Sequence, residues 1–140
     1  MKKTLLLLCF SLNLAAQNII IQTSKGSIEG TFNSETKVAK YLGIPFAKPP
    51  VGDLRWKAPA PLEPWTGIKA VKAFGPSPMQ GKPVPFAFWP SEYLIPESPI
   101  SEDCLYLNVW APRTNKAKKA VLVYIYGGGF RSGGTACPIY

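Results

Sequence analysis

The apolar and polar positions divide the chain into three unequal stretches. In the first, short β-branched or alternating runs are separated by turn chemistry. Asn18 to Thr23 reads NIIIQT, Ser24-Lys25-Gly26 interrupts it, and Ser27 to Phe32 (SIEGTF) alternates, which together predict a β-hairpin. Asn33 to Thr36 is a second turn, and Lys37 to Ile44 a third strand stopped by Pro45. This stretch therefore reads as a small antiparallel meander. From Pro45 to Pro99 no steady period survives. Yet the segment carries Trp56, Trp65, Phe86, Phe88 and Trp89, more large rings than a disordered linker holds. It reads as a long irregular segment pressed onto a core by those rings. Regular structure resumes at Cys104 to Ala111 (CLYLNVWA), closed by Pro112. After a polar turn, residues 120–126 (AVLVYIY) are apolar on both faces, the mark of a central strand covered on both sides. That run ends in Gly127-Gly128-Gly129-Phe130. No repeat and no helical period appears.

Composition sharpens this in two places. There are 15 prolines in 140 residues, about double the usual frequency. None precedes Pro45, and most fall between residues 45 and 99, which rules out a mainly helical middle. The N-terminus has a short positive region (Met1-Lys2-Lys3), an apolar stretch to Leu14, and Ala15-Ala16-Gln17. This predicts a signal peptide over residues 1–16, cut near Ala16/Gln17, and a secreted or periplasmic protein. The apolar part is too short for a bilayer span, so no stable membrane insertion is expected. The formal charge of +8 falls to +6 without Lys2 and Lys3. The one cluster, Lys116, Lys118 and Lys119, lacks interleaved aromatics and reads as a solvated turn, so no nucleic-acid partner is expected. Cys104 and Cys137 would be the cysteines left after cleavage.

The three glycines admit three readings. A phosphate loop needs a lysine after its second glycine. Starting from Gly128 that place holds Gly134, and from Gly129 it holds Thr135, so the motif fails. The dinucleotide fingerprint fails too, because its third glycine falls on Ser132. A plain turn remains open, although three consecutive glycines carry an entropy penalty of roughly 0.5–1 kcal/mol each in regular structure. The third reading is an oxyanion hole, in which backbone N–H groups face the oxygen that gains charge as an ester carbonyl is attacked.

The surrounding blocks bear on that choice. Residues 41–47 (YLGIPFA) with Pro49-Pro50-Val51-Gly52, then Leu54-Arg55-Trp56, then Pro64-Trp65-Thr66-Gly67, then residues 101–108 (SEDCLYLN), then residues 124–130 (YIYGGGF) with Gly133, resemble in order the N-terminal blocks of the type-B carboxylesterase family. That family includes cholinesterases and bacterial para-nitrobenzyl esterases. The resemblance implies an α/β class chain: the N-terminal part of an α/β-hydrolase fold, incomplete, with a small antiparallel meander, a long irregular segment and the first central strands. Residues 17–140 would be the N-terminal portion of a truncated esterase domain. Gly128 and Gly129 match the oxyanion donors, with Gly127 setting up the turn. Arg55 and Glu102 match a structural ion pair, and Phe130 is a candidate pocket-lining ring. The family commonly has a cysteine bridged to the one at Cys104, where this chain has Pro78. Cys104 is then free, packed as a small apolar residue, or paired with Cys137; a free thiol is the expectation.

The chain contains no histidine and no Gly-x-Ser-x-Gly, so no Ser–His–acid triad can be assembled from it. Ser132 has no base placed beside it in the sequence. The expected parent is a serine esterase acting on a small-molecule ester, without cofactor or metal, in which this chain supplies the oxyanion loop. On that reading the 140 residues alone are inactive and do not fold stably. The competing class is a non-catalytic cholinesterase-like binding or adhesion protein. Intact glycines favour the enzyme, because a binding protein has no use for an oxyanion hole.

Overall fold

A computed structural model describes residues 17–85, 87–88, 90–96, 99–113 and 118–139. The expected signal peptide, and Phe86, Trp89 and Lys116, lie outside the described residues. Five strands form one sheet. β1 (Gln17–Gln22) pairs antiparallel with β2 (Ser27–Asn33), Gln17 opposite Phe32 and Gln22 opposite Ser27. The turn between them is closed by Thr23, whose Oγ1 accepts from the N–H groups of Lys25 (3.1 Å) and Gly26 (3.2 Å). β3 (Val38–Pro45) returns antiparallel along β2. Here Asn33 Oδ1 makes the turn, accepting from the N–H groups of Glu35 and Thr36, each at 2.9 Å. Asparagine at this position mimics a backbone turn with its own side chain. The meander is thus the one its polar breaks predict.

β5 (Tyr106–Pro112) adds antiparallel to β3, from Val38 opposite Pro112 to Pro45 opposite Tyr106. The ladder is irregular between Tyr41 and Ile44, where the Gly43 N–H leaves the strand pattern and donates to Asn108 Oδ1 at 2.8 Å. A three-residue strand, β4 (Ile68–Ala70), runs parallel to β2 at Ser27 to Glu29. The sheet order is β1-β2-β3-β5, with β4 alongside β2. Alternate positions turn to one face, so Ile19, Ile28, Ala39 and Tyr41 form the core with Val71, flanked by Phe32, Ile44 and Trp65. Alternation of this kind is what lets one face stay dry.

The proline-rich segment is tied down mainly by backbone hydrogen bonds. Val71 N–H donates to Glu29 O and Leu42 N–H to Val71 O, both at 2.8 Å; Ser77 N–H donates to Pro99 O (3.0 Å) and Ser101 N–H to Ser77 O (2.9 Å). The expected anchoring by aromatic rings holds for Trp65, which packs on the core and donates from Nε1 to Ser27 O at 3.0 Å. It does not hold for Trp56 and Phe88, which are 96% and 95% exposed. A ring anchors only where the fold offers it a surface, and these two face solvent.

The second departure is larger. Residues 120–126 form no strand, and Val121, Leu122 and Ile125 are 85%, 91% and 83% exposed. The apolar run has the composition of a central strand but, among the described residues, no neighbouring strand to pair with. Ladder hydrogen bonds come from neighbours, and composition does not supply them.

Candidate functional site

The glycine loop is a compact turn with a closed base. Arg131 and Ser132 both donate backbone N–H groups to Gly128 O, at 3.1 and 3.2 Å. Gly128 has φ +141°, and a Cβ on it would sit 1.6 Å from Ser132 O, so no other residue fits this turn. Gly129 follows at φ +59°, in the left-handed region that glycine enters freely. Gly127 has open space around it and no such angle. Phe130 is also left-handed, at φ +59°, with its side chain fully exposed. Among the described residues the N–H groups of Gly128 and Gly129 find no acceptor.

The turn is gripped from outside by a part of the chain whose periodicity gives no warning of it. Gln80 Oε1 accepts from the Gly133 N–H at 2.9 Å, and Gln80 Nε2 donates to Gly133 O at 2.9 Å and to Pro78 O at 3.0 Å. Nearby, Ser77 is buried, and its Oγ lies where a Cβ on Gly134 would be only 2.6 Å away. Sequence reasoning missed both residues. The available signal was the position of Gln80 in the block that ends Pro78-Met79-Gln80.

The SEDCLYLN block works as a row of tethers. Glu102 Oε2 receives Arg55 Nη2 at 2.6 Å, with both side chains about half exposed. That hydrogen bond, reinforced by charge, holds the Glu102 carboxyl below its ordinary value and raises Arg55. The pair joins the turn after Gly52–Leu54 to the approach to β5. Next, Tyr106 Oη donates to Asp103 Oδ2 at 2.9 Å. Burial first, and then this carboxylate, push the phenol up to about 12. Asn108 holds the irregular turn at Gly43, as described above.

Cys104 and Cys137 are both free thiols. Burial raises both, with Asp103 and Glu102 adding to the shift at Cys104. They therefore stay protonated and poorly nucleophilic near neutrality. Cys137 Sγ donates to Tyr93 O at 3.5 Å. Ser132 contributes its backbone to the turn, and with no histidine in the chain it has no imidazole base.

A family model described as the carboxylesterase family matches residues 17–139. The chain belongs to the carboxylesterase family. It is 40% identical to a cholinesterase of Mus musculus over 141 aligned residues, covering 97% of this chain and 23% of that protein. It is also 40% identical to a fumonisin B1 esterase of Sphingopyxis macrogoltabida over 126 residues, covering 87% of this chain and 21% of that one. A solved structure of PNB esterase superposes with a TM-score of 0.75 at 40% identity, over 86% of this chain and 24% of that one. The chain thus spans about a quarter of the length of the carboxylesterases it matches. The antiparallel sheet and this superposition fit an α/β-hydrolase-like fold. Among the described residues, no helix is long and apolar enough to cross a membrane.

Proposed function

We propose that residues 127–133 are the oxyanion-binding loop of an exported serine carboxylic-ester hydrolase whose triad residues lie outside these 140. The observation that carries the reading is that, among the described residues, the N–H groups of Gly128 and Gly129 have no acceptor, in a loop held through Gly128 O and through both backbone groups of Gly133. Pre-set donors need no reorganisation when charge develops on the carbonyl oxygen, and each is worth about 3 kcal/mol of barrier. The left-handed, exposed Phe130 agrees with strain stored beside a site. Its exposed ring is the candidate to line the ester pocket in the complete protein. Arg55 and Glu102 act structurally, holding the proline-rich segment to the sheet. The reading takes the substrate to be a small carboxylic ester and needs no metal or cofactor.

The test is expression from the complete gene, followed by assays with p-nitrophenyl acetate and butyrate and labelling by a fluorophosphonate probe. Ester turnover lost on covalent labelling of a serine is the expected result. A correctly folded product with neither turnover nor labelling would sink the enzyme and leave a binding protein.

A further inference from the structure

We propose that Gln80 is a positioning residue for the glycine loop. It sets the aim of the Gly128 and Gly129 N–H groups through Gly133, and the proposal rests on the oxyanion reading above. A glutamine amide presents one acceptor and two donors. Here its oxygen takes the Gly133 N–H, one N–H takes Gly133 O, and the amide nitrogen also reaches Pro78 O. The first two bonds make a closed ring with a single residue's backbone, the pairing a neighbouring strand would make. The third fixes the amide plane. Residues 80 and 133 are 53 positions apart, so the contact couples the proline-rich segment to the loop.

The grip is transmitted because Gly133 is wedged against the start of the loop. At φ +119°, its Cβ position lies 2.5 Å from Gly127 O and 2.9 Å from the Tyr126 ring. Any shift of Gly133 therefore moves Gly127 or opens a gap beside it. Gly128 is in turn bonded through its carbonyl to Arg131 and Ser132, the residues leading directly into Gly133. Pulling on Gly133 thus acts on both ends of the turn. An N–H donor aimed at a developing oxyanion must be placed to within a fraction of an ångström, and a 1 Å error can reduce the rate about 100-fold.

The prediction separates positioning from bulk stability. With the protein expressed from its complete gene, Gln80→Ala leaves both backbone groups of Gly133 unpaired. Hydrogen exchange in a peptide spanning residues 127–134 should quicken about tenfold. The rate kcat for p-nitrophenyl acetate should fall about 10- to 100-fold, with KM nearly unchanged. Gln80→Glu gives the sharper readout. As a carboxylate it loses the donor to Gly133 O and adds negative charge near the loop. When protonated it regains a donor and an acceptor, so its kcat relative to wild type should climb as pH falls. Glu63→Gln, which breaks only the exposed 2.7 Å pair with Lys48, serves as the control. Unchanged exchange in Gln80→Ala overturns the grip itself. Faster exchange with kcat intact overturns positioning while leaving the esterase reading standing, as does a Gln80→Glu to wild-type ratio that is flat with pH. Wild-type protein with no ester turnover overturns the esterase reading, and the exchange result alone then decides whether Gln80 holds the loop.

Discussion

β2, in which apolar and polar residues alternate, and residues 120–126, an apolar run, meet opposite fates. In β2, Ile28 is 1% exposed because β1 lies on one edge, β3 and β4 share the other, and Trp65 covers the end of the core. In the second run, Val121 to Ile125 remain in solvent, although as a whole this run is the more apolar of the two. Hydrophobicity says that a segment should be buried; only a partner edge and a covering layer decide that it is. The same contrast holds for rings, since Trp65 finds the sheet and Trp56 does not.

The largest effect should come from cutting into the buried member of this comparison. In the protein expressed from its complete gene, Ile28→Ala should lower the unfolding free energy by about 2–5 kcal/mol. In the same protein, Val123→Ala should stay within about 0.5 kcal/mol if Val123 keeps its 77% exposure there. Urea denaturation of both variants measures the gap, and equal losses would mean that residues 120–126 are packed after all. Next is Gly128→Ala, whose new methyl cannot coexist with Ser132 O. In the complete-gene protein kcat should drop about 100- to 1000-fold with a much smaller change in thermal midpoint, separating the loop's chemistry from the sheet's stability. Trp65→Phe keeps a ring but removes the bond to Ser27 O, and should cost about 1 kcal/mol.

The smallest effects are read through pH. Because Arg55 holds the Glu102 carboxyl below its usual 4.5, the folded state binds a proton less readily than the unfolded one. The stability this contributes is present above pH 4.5 and is lost as pH falls through the lower folded value. Glu102→Gln should therefore flatten the acid side of the stability curve. Tyr106 has the opposite sense. Its folded value of about 12 lies above the ordinary 10.0, so its contribution is full below pH 10 and disappears as pH rises toward 12. Tyr106→Phe should reduce that alkaline loss, and an unchanged slope would show that the phenol does not drive it.

The meander was legible because its signals are local. Asn33 and the Thr23-to-Gly26 turn lie in the sequence where the chain reverses, and Ile28 and Gly30 alternate inward. β4 was not legible: its three residues are all exposed, and its parallel pairing with β2 is fixed by distant groups such as the Glu29 carbonyl and the Lys72–Glu29 ion pair at 2.6 Å. Residues 120–126 differ from the expected strand because periodicity reports what a segment needs, not what stands beside it. For the candidate site, the glycines announced themselves by composition. Arg55 and Glu102 emerged only through family resemblance, since nothing local links positions 47 residues apart. Gln80 stayed hidden for the same reason.

The β3–β5 ladder, with Pro45 opposite Tyr106, also fixes how this lineage can vary. Residues 46–105 leave and rejoin the sheet at this one point, so their ends are already joined, and between them the chain is tied back chiefly around β4. Closure entropy rises only logarithmically with length, by about 0.6 kcal/mol for each doubling. Exposed stretches of that segment, such as Gly81 to Pro85 beyond the Gln80 contact, can therefore lengthen or shorten over generations while the sheet and the glycine turn stay in register. Homologous chains should differ in length here far more than in any strand.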